Sequence, residues 1–232
     1  MLHLIGLGLN EKGISLEGIE TARKCECYLE GYTVDFPYNI EEIEKIIDKK
    51  IQVLKREEVE NESIVDKARQ KDVALLVYGS PLFATTHVAL LQMCIEQKVK
   101  YKIVHSASIF DAIAETGLQM YKFGKTTSLP AWTEKHTPKS FTEIIKENHS
   151  IKAHTLLLVD IGLEFKDALN QLTESVNVDK LVVCSNLGTD KAKIVYGNVD
   201  KLKKAKIEKP FCFIIPSELH FLEQEFLGNF KL

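Results

Sequence analysis

The segment 73–88, VALLVYGSPLFATTHV, constrains the fold more than any other stretch of this chain. An apolar run that stops at Gly79 predicts a buried interior strand of a parallel sheet, with Thr85 or Thr86 placed to cap the helix that follows. Residues 79–84 then lie at a carboxyl end of the sheet, where open α/β sheets bind their ligands. The turn holds one glycine, one proline and small or apolar side chains, with no lysine and no second glycine. It lacks what a phosphate-cradling loop requires and suits an adenosine or thioether body.

The flanking sequence continues the alternation. Residues 2–9 predict a strand. Ser15 caps a helix in which Leu16, Ile19, Ala22 and Cys25 keep helical spacing, and residues 26–32 predict the next strand. Ile40, Ile43, Ile46 and Ile47 mark a second helix; 51–54 is a short strand, 64–71 and 86–97 are helices, and 101–105 is a further strand. The stretch 128–140, SLPAWTEKHTPKS, carries two prolines and little periodicity and reads as an exposed connection. Beyond it, strands at 154–161, 180–185, 192–196 and 211–215 are separated by few helices, which favours a mixed or antiparallel sheet. The expectation is two α/β domains with a cleft between them: residues 1–121 on a mostly parallel sheet and 122–232 on a mixed sheet.

Several chemistries are unsupported. IGLGLNEKG places Gly6 and Gly8 after a strand, but the third position of a dinucleotide fingerprint is Glu11 and the helix cap at Ser15 comes late. A net charge of -3 and the lack of a long basic block argue against nucleic acid as a partner. Five scattered cysteines, Cys25, Cys27, Cys94, Cys184 and Cys212, fit reduced buried thiols of a cytosolic protein. The seven histidines show no zinc-helix spacing, so no metal is expected. No GxSxG elbow is present, and Ser80 precedes Pro81. No apolar stretch approaches the ~18 residues of a membrane span, and no secretory leader is evident. Taken singly, Ser108 reads as the cap of a helix running to residue 115, Val159 as core, and His220 as a packed or surface residue near a helix start.

In order along the chain, IGLGL, YGSPLFATTH, IVHSASIFDAIAETGLQMYKFGKT, TPKSFTEIIKENH, HTLLLVDI and SELHFLE resemble the diphthine synthases, a branch of the tetrapyrrole-methylase-like methyltransferases. The resemblance implies a cytoplasmic two-domain homodimer that binds S-adenosylmethionine in its cleft and releases S-adenosylhomocysteine. It also implies repeated methylation, up to trimethylation, of the amino group on a modified histidine of translation elongation factor 2, in diphthamide biosynthesis. Carried over by motif, the cofactor contacts fall on Leu9, Ser80, Phe83, Ser108, Ile109, Val159, Ser185 or Asn186, and His220. No catalytic base is assigned; His87 and His220 are candidates.

The chain departs from the pattern where Gly79-Ser80-Pro81 stands in place of the usual Gly-Asp-Pro. A hydroxyl there forgoes a charge-assisted hydrogen bond, a loss of roughly 1 kcal/mol. The segment after Asp160 is also shorter than in many members. Two other readings follow: a methyltransferase acting on a tetrapyrrole, and a non-catalytic S-adenosylmethionine-binding dimer.

Overall fold

A computed structural model describes residues 1–61 and 63–232, which pack as two units, Met1–Asp111 and Ala112–Leu232. The first is built on five parallel strands, β1 (Leu2–Gly6), β2 (Glu26–Glu30), β3 (Ile51–Leu54), β4 (Val73–Val77) and β5 (Tyr101–Val104), in the order β3-β2-β4-β1-β5. β4 is central because every one of its residues is buried, as its unbroken apolar sequence requires. Helices α1 (Leu16–Ala22), α2 (Ile40–Ile47), α3 (Arg56–Glu60), α4 (Ser63–Gln70), α5 (Val88–Glu96) and α6 (Ile109–Ala112) belong to this unit, α6 ending one residue past its edge. Alternation along β4 divides the core into two layers: Val73, Leu75 and Val77 join Val59, Val65 and Leu90 on one face, while Ala74 and Leu76 join Ile43 and Ile47 on the other.

The second unit carries β6 (Thr127–Leu129), β7 (Thr155–Val159), β8 (Lys180–Ser185), β9 (Lys193–Asn198) and β10 (Phe211–Ile215), in the order β6-β7-β10-β8-β9. Only β6 and β7 are parallel; the remaining pairs are antiparallel, so the sheet is mixed. Its helices are α7 (Phe141–Ser150), α8 (Phe165–Ser175), α9 (Val199–Leu202) and α10 (Phe221–Leu227). Phe165, Phe211 and Phe213 form an edge-packed aromatic cluster inside its core.

Some expectations need correction. Neither Thr85 nor Thr86 caps α5: the residue ahead of it is His87, which makes no side-chain cap bond, and the Thr85 hydroxyl turns back to donate to the Pro81 carbonyl at 3.1 Å. α3 was not anticipated, since REEVE is too short to show periodicity; only Val59 is buried. The supposed connection 128–140 begins inside β6, where Leu129 is fully buried against β7. The division between units falls after Asp111 rather than after residue 121. Residues 112–121 go with the second unit because Leu118 is buried and the Gln119 N–H donates to Glu223 of α10 at 2.9 Å.

Candidate functional site

In the first unit the carboxyl ends of β1, β4 and β5 are tied together through main chain. Gly8 and Gly79, with φ of 70° and 73°, exchange two hydrogen bonds, at 3.2 Å and 2.9 Å. Both angles are strained for any residue with a Cβ. Gly6 lies so close beneath that a Cβ there would stand 2.6 Å from the Gly79 carbonyl oxygen and 2.9 Å from the Ser106 Cβ. Ser106 in turn donates its hydroxyl to the Gly13 carbonyl at 2.8 Å. This knot makes β1 shorter than the expected 2–9, because the chain leaves the sheet to bridge to Gly79.

Around the knot lie five of the residues expected to touch a cofactor. Leu9 is buried, and its carbonyl accepts the Tyr78 hydroxyl at 3.2 Å. Ser80 is buried in a turn closed by the Phe83 N–H to the Ser80 carbonyl, at 3.3 Å. Phe83 is 52% exposed and stacks on Phe110, with centroids 5.0 Å apart and planes at 28°. Ser108 is buried; its N–H and hydroxyl both donate to Asp111 Oδ2, at 2.7 and 3.0 Å, and its oxygen receives the Phe110 N–H. Ile109 is half-buried at the first position of α6. The helix after Ser108 is shorter than expected, since α6 tightens into a 3₁₀ turn over Ile113–Thr116.

His87 is almost wholly buried. Its Nδ1 donates to the Pro81 carbonyl at 2.9 Å, and burial holds its pKa below the ordinary value, so it is a neutral prop beneath the turn. Phe36, Tyr38 and Tyr78 pack together beside Leu9, Phe36 meeting Tyr78 edge to face, and burial pushes both tyrosine hydroxyls well above their usual range.

The second unit places its four candidates at the two opposite ends of its strands. Leu158, Cys212 and Cys184 are level across β7, β10 and β8, so Val159 and Ser185 lie at one end, followed by Asn186. Ser185 donates its hydroxyl to the Glu208 carbonyl at 2.6 Å and accepts from Asn186 Nδ2 at 3.1 Å. Asn186 sits at φ 51°, a left-handed conformation that asparagine tolerates better than most residues. His220 follows β10 at the opposite end of the strands, beyond the pairing of Ile215 with Thr155.

There His220 serves as the expected helix start: its ring Nδ1 accepts the Leu222 N–H of α10. Beside it is a buried polar cluster that the sequence reading did not identify. Glu223, fully buried, accepts from the Gln119 N–H, the His220 N–H at 2.7 Å, Lys122 Nζ at 2.5 Å and His154 Nε2 at 3.2 Å. Burial alone would raise its pKa, but these donors hold it down at about 2. His154 Nδ1 accepts the Ser217 N–H at 2.9 Å, which fixes the proton on Nε2. Among the described residues, no group of three or more His, Cys, Asp or Glu side chains is arranged to hold a metal ion, and no helix is long and apolar enough to cross a membrane.

A parallel α/β unit with a phosphate-free turn, followed by a mixed-sheet unit, fits one class of protein. The family model of the tetrapyrrole (corrin/porphyrin) methylases matches residues 1–203, and the chain belongs to that family. Within it the chain stands with the diphthine synthases. It is 37% identical to a diphthine synthase of Methanocaldococcus jannaschii, covering 98% of this chain and 97% of that protein. It is 35% and 33% identical to proteins named diphthine methyl ester synthase in Schizosaccharomyces pombe and Homo sapiens, covering all of this chain and 95% of each. The crystal structure of a diphthine synthase superposes with a TM-score of 0.91 at 33% identity, over 99% of this chain and 95% of that one. That of a putative diphthine synthase from Entamoeba histolytica gives 0.89 at 32% identity, over 100% and 98%.

Proposed function

We propose that the protein transfers methyl groups from S-adenosylmethionine to the amino group of the aminocarboxypropyl-histidine of elongation factor 2, acting as a cytoplasmic homodimer in diphthamide biosynthesis. The observation that carries the reading is end-to-end similarity, at about a third of positions, to a protein named diphthine synthase in an archaeon and to proteins named diphthine methyl ester synthase in yeast and human. The site chemistry supports the cofactor. The turn after β4 offers main-chain groups, the Ser80 hydroxyl and the stacked pair of Phe83 and Phe110, and residues 79–87 contain no lysine or arginine to hold a phosphate. Those features fit the uncharged adenosine part of S-adenosylmethionine and the thioether of the product, S-adenosylhomocysteine. We assign its contacts to Leu9, Ser80, Phe83, Ser108 and Ile109 in the first unit and Val159, Ser185, Asn186 and His220 in the second.

Bound S-adenosylmethionine supplies an activated methyl, because its sulfonium is already a good leaving group. The protein's task is to align an amine nitrogen behind that carbon and to keep water out, which alone accounts for much of the rate in such transfers. Main chain forms the floor around Gly8 and Gly79, so it cannot swing away as a side chain could.

The test is incubation with labelled S-adenosylmethionine and elongation factor 2 carrying the aminocarboxypropyl-histidine, followed by mass spectrometry. Successive methyl additions are expected on that residue; cofactor binding without added mass would leave the non-catalytic and tetrapyrrole readings. The yeast and human relatives are named for a methyl ester, so a second reading adds a carboxylate methyl. Mild alkali separates the two, since it removes an ester methyl and leaves N-methyl groups. Binding of a coloured macrocycle would favour the tetrapyrrole alternative.

A further inference from the structure

Glu30 closes β2 on the face that also carries Tyr28, since residues two apart on a strand share a face. That face is the core layer of Leu75, Val77 and Leu90, yet the Glu30 side chain is part of it, 1% exposed. Oε1 accepts the Thr33 hydroxyl, whereas Oε2 is buried without a hydrogen-bond partner. Three further buried atoms at the carboxyl end of the same unit lack partners, the Tyr32 and Tyr38 hydroxyls and Nε2 of His87. Buried polar atoms are nearly always paired, so this grouping at the ligand-binding end of the sheet requires an explanation other than packing.

The location fits a role in the transfer. β2 lies beside β4 in the sheet, and Leu82, from the turn that holds Ser80, packs on the same core layer as Tyr32. Thr33 is only partly buried, which gives the carboxyl group a route outward. Burial pushes the Glu30 carboxyl up to about 7, against the opposing influence of the Thr33 hydroxyl and the nearby Tyr32 and Thr33 N–H groups. The titratable groups on this side are Tyr32 of the same turn, Arg56 and Glu60 of α3, Lys67 of α4 over Tyr28, and His87 ahead of α5.

We propose that Glu30, acting through the Thr33 hydroxyl, takes the proton that the substrate's ammonium group must lose before each methyl transfer. This rests on the function proposed above. The ammonium nitrogen gives a proton to Thr33 Oγ1, and the threonine passes its own to Glu30 Oε1. The nitrogen lone pair so freed forms the new bond to carbon while the carbon–sulfur bond of the donor breaks and leaves its electron pair on sulfur. Glu30 returns the proton to solvent before the next cycle. Glu30 is thus a positioning residue for the proton and Thr33 is the group that meets the substrate.

The experiment follows kcat on the modified elongation factor from about pH 6 to 9 for the wild type, Glu30→Gln and Thr33→Val, with S-adenosylmethionine affinity and thermal melting measured alongside. Positioned acid–base groups contribute about 10²–10⁴ in rate, so each variant should lose at least about ten-fold near pH 7. The deficit should shrink towards pH 9, where solvent removes the proton unaided, and cofactor affinity should hold. A deficit constant across pH, or none in either variant, overturns the proposal. If Glu30→Gln fails to fold, Thr33→Val carries the same test with the carboxyl group intact. A wild type inactive on this substrate overturns the functional reading and this proposal with it; an active wild type with unaffected variants overturns the proposal alone.

Discussion

Ser80 is buried in the turn after β4, where the resemblance in the sequence implies an aspartate and its charge. Replacing it tests how far that charge matters: Ser80→Asp should tighten S-adenosylmethionine by several-fold, in line with about 1 kcal/mol for a charge-assisted bond, read by calorimetry. Glu30 makes an opposite prediction about stability. Its carboxyl group binds its proton more tightly in the fold than in the unfolded chain, so stability declines as pH rises from the model-compound value of 4.5 through about 7. The full swing is on the order of 3 kcal/mol, at about 1.4 kcal/mol per pKa unit. In denaturant titrations at several pH values, Glu30→Gln should flatten this slope and be the more stable protein at pH 8. Gly6 is a steric case: Gly6→Ala puts a methyl group against the Gly79 carbonyl and Ser106, and should cost about 1–3 kcal/mol in the same titrations.

At the scale of elements, α10 is held by charge as much as by packing. Glu223 gathers donors from the segment before β6, from the start of α10 and from His154 next to β7. Its folded pKa is depressed to about 2, so the stabilisation is complete above the unfolded value of 4.5 and is lost as pH falls through 2. Removing the acceptor with Glu223→Ala leaves Lys122 and His154 without their partner, and should lower stability by about 3–5 kcal/mol at neutral pH, seen as a large drop in melting temperature. The strands β3, β8 and β10 match their expected bounds because apolar runs between turn residues mark them directly. β6 was hidden because three residues next to a proline give no period. Glu30 was readable in principle: a strand over 26–32 puts it in phase with Tyr28, and the parity alone places a carboxyl group in the core. The Glu223 cluster was not, since its donors come from residues about 70 and 100 positions away.

For the whole molecule, the proposed homodimer has a surface to explain it. Val88 and Ile95, seven residues apart and so on one face of α5, are 66% and 58% exposed. We propose this face as part of the dimer surface, because contiguous exposed apolar patches mark association sites. Light scattering should therefore find twice the mass of a single chain, and Val88→Asp with Ile95→Asp should shift it towards the monomer without loss of helical signal.

The Gly8–Gly79 bridge bears on how such a site can change over time. Its floor is made of peptide groups common to every residue, and Gly6 leaves no room for a side chain beneath it. Substitution can therefore rework only the surround, at positions such as Ser80, Phe83 and Ser108, while the base stays as it is. A lineage could exchange one methyl acceptor for another around an unaltered seat, and the glycines would be its most durable signature.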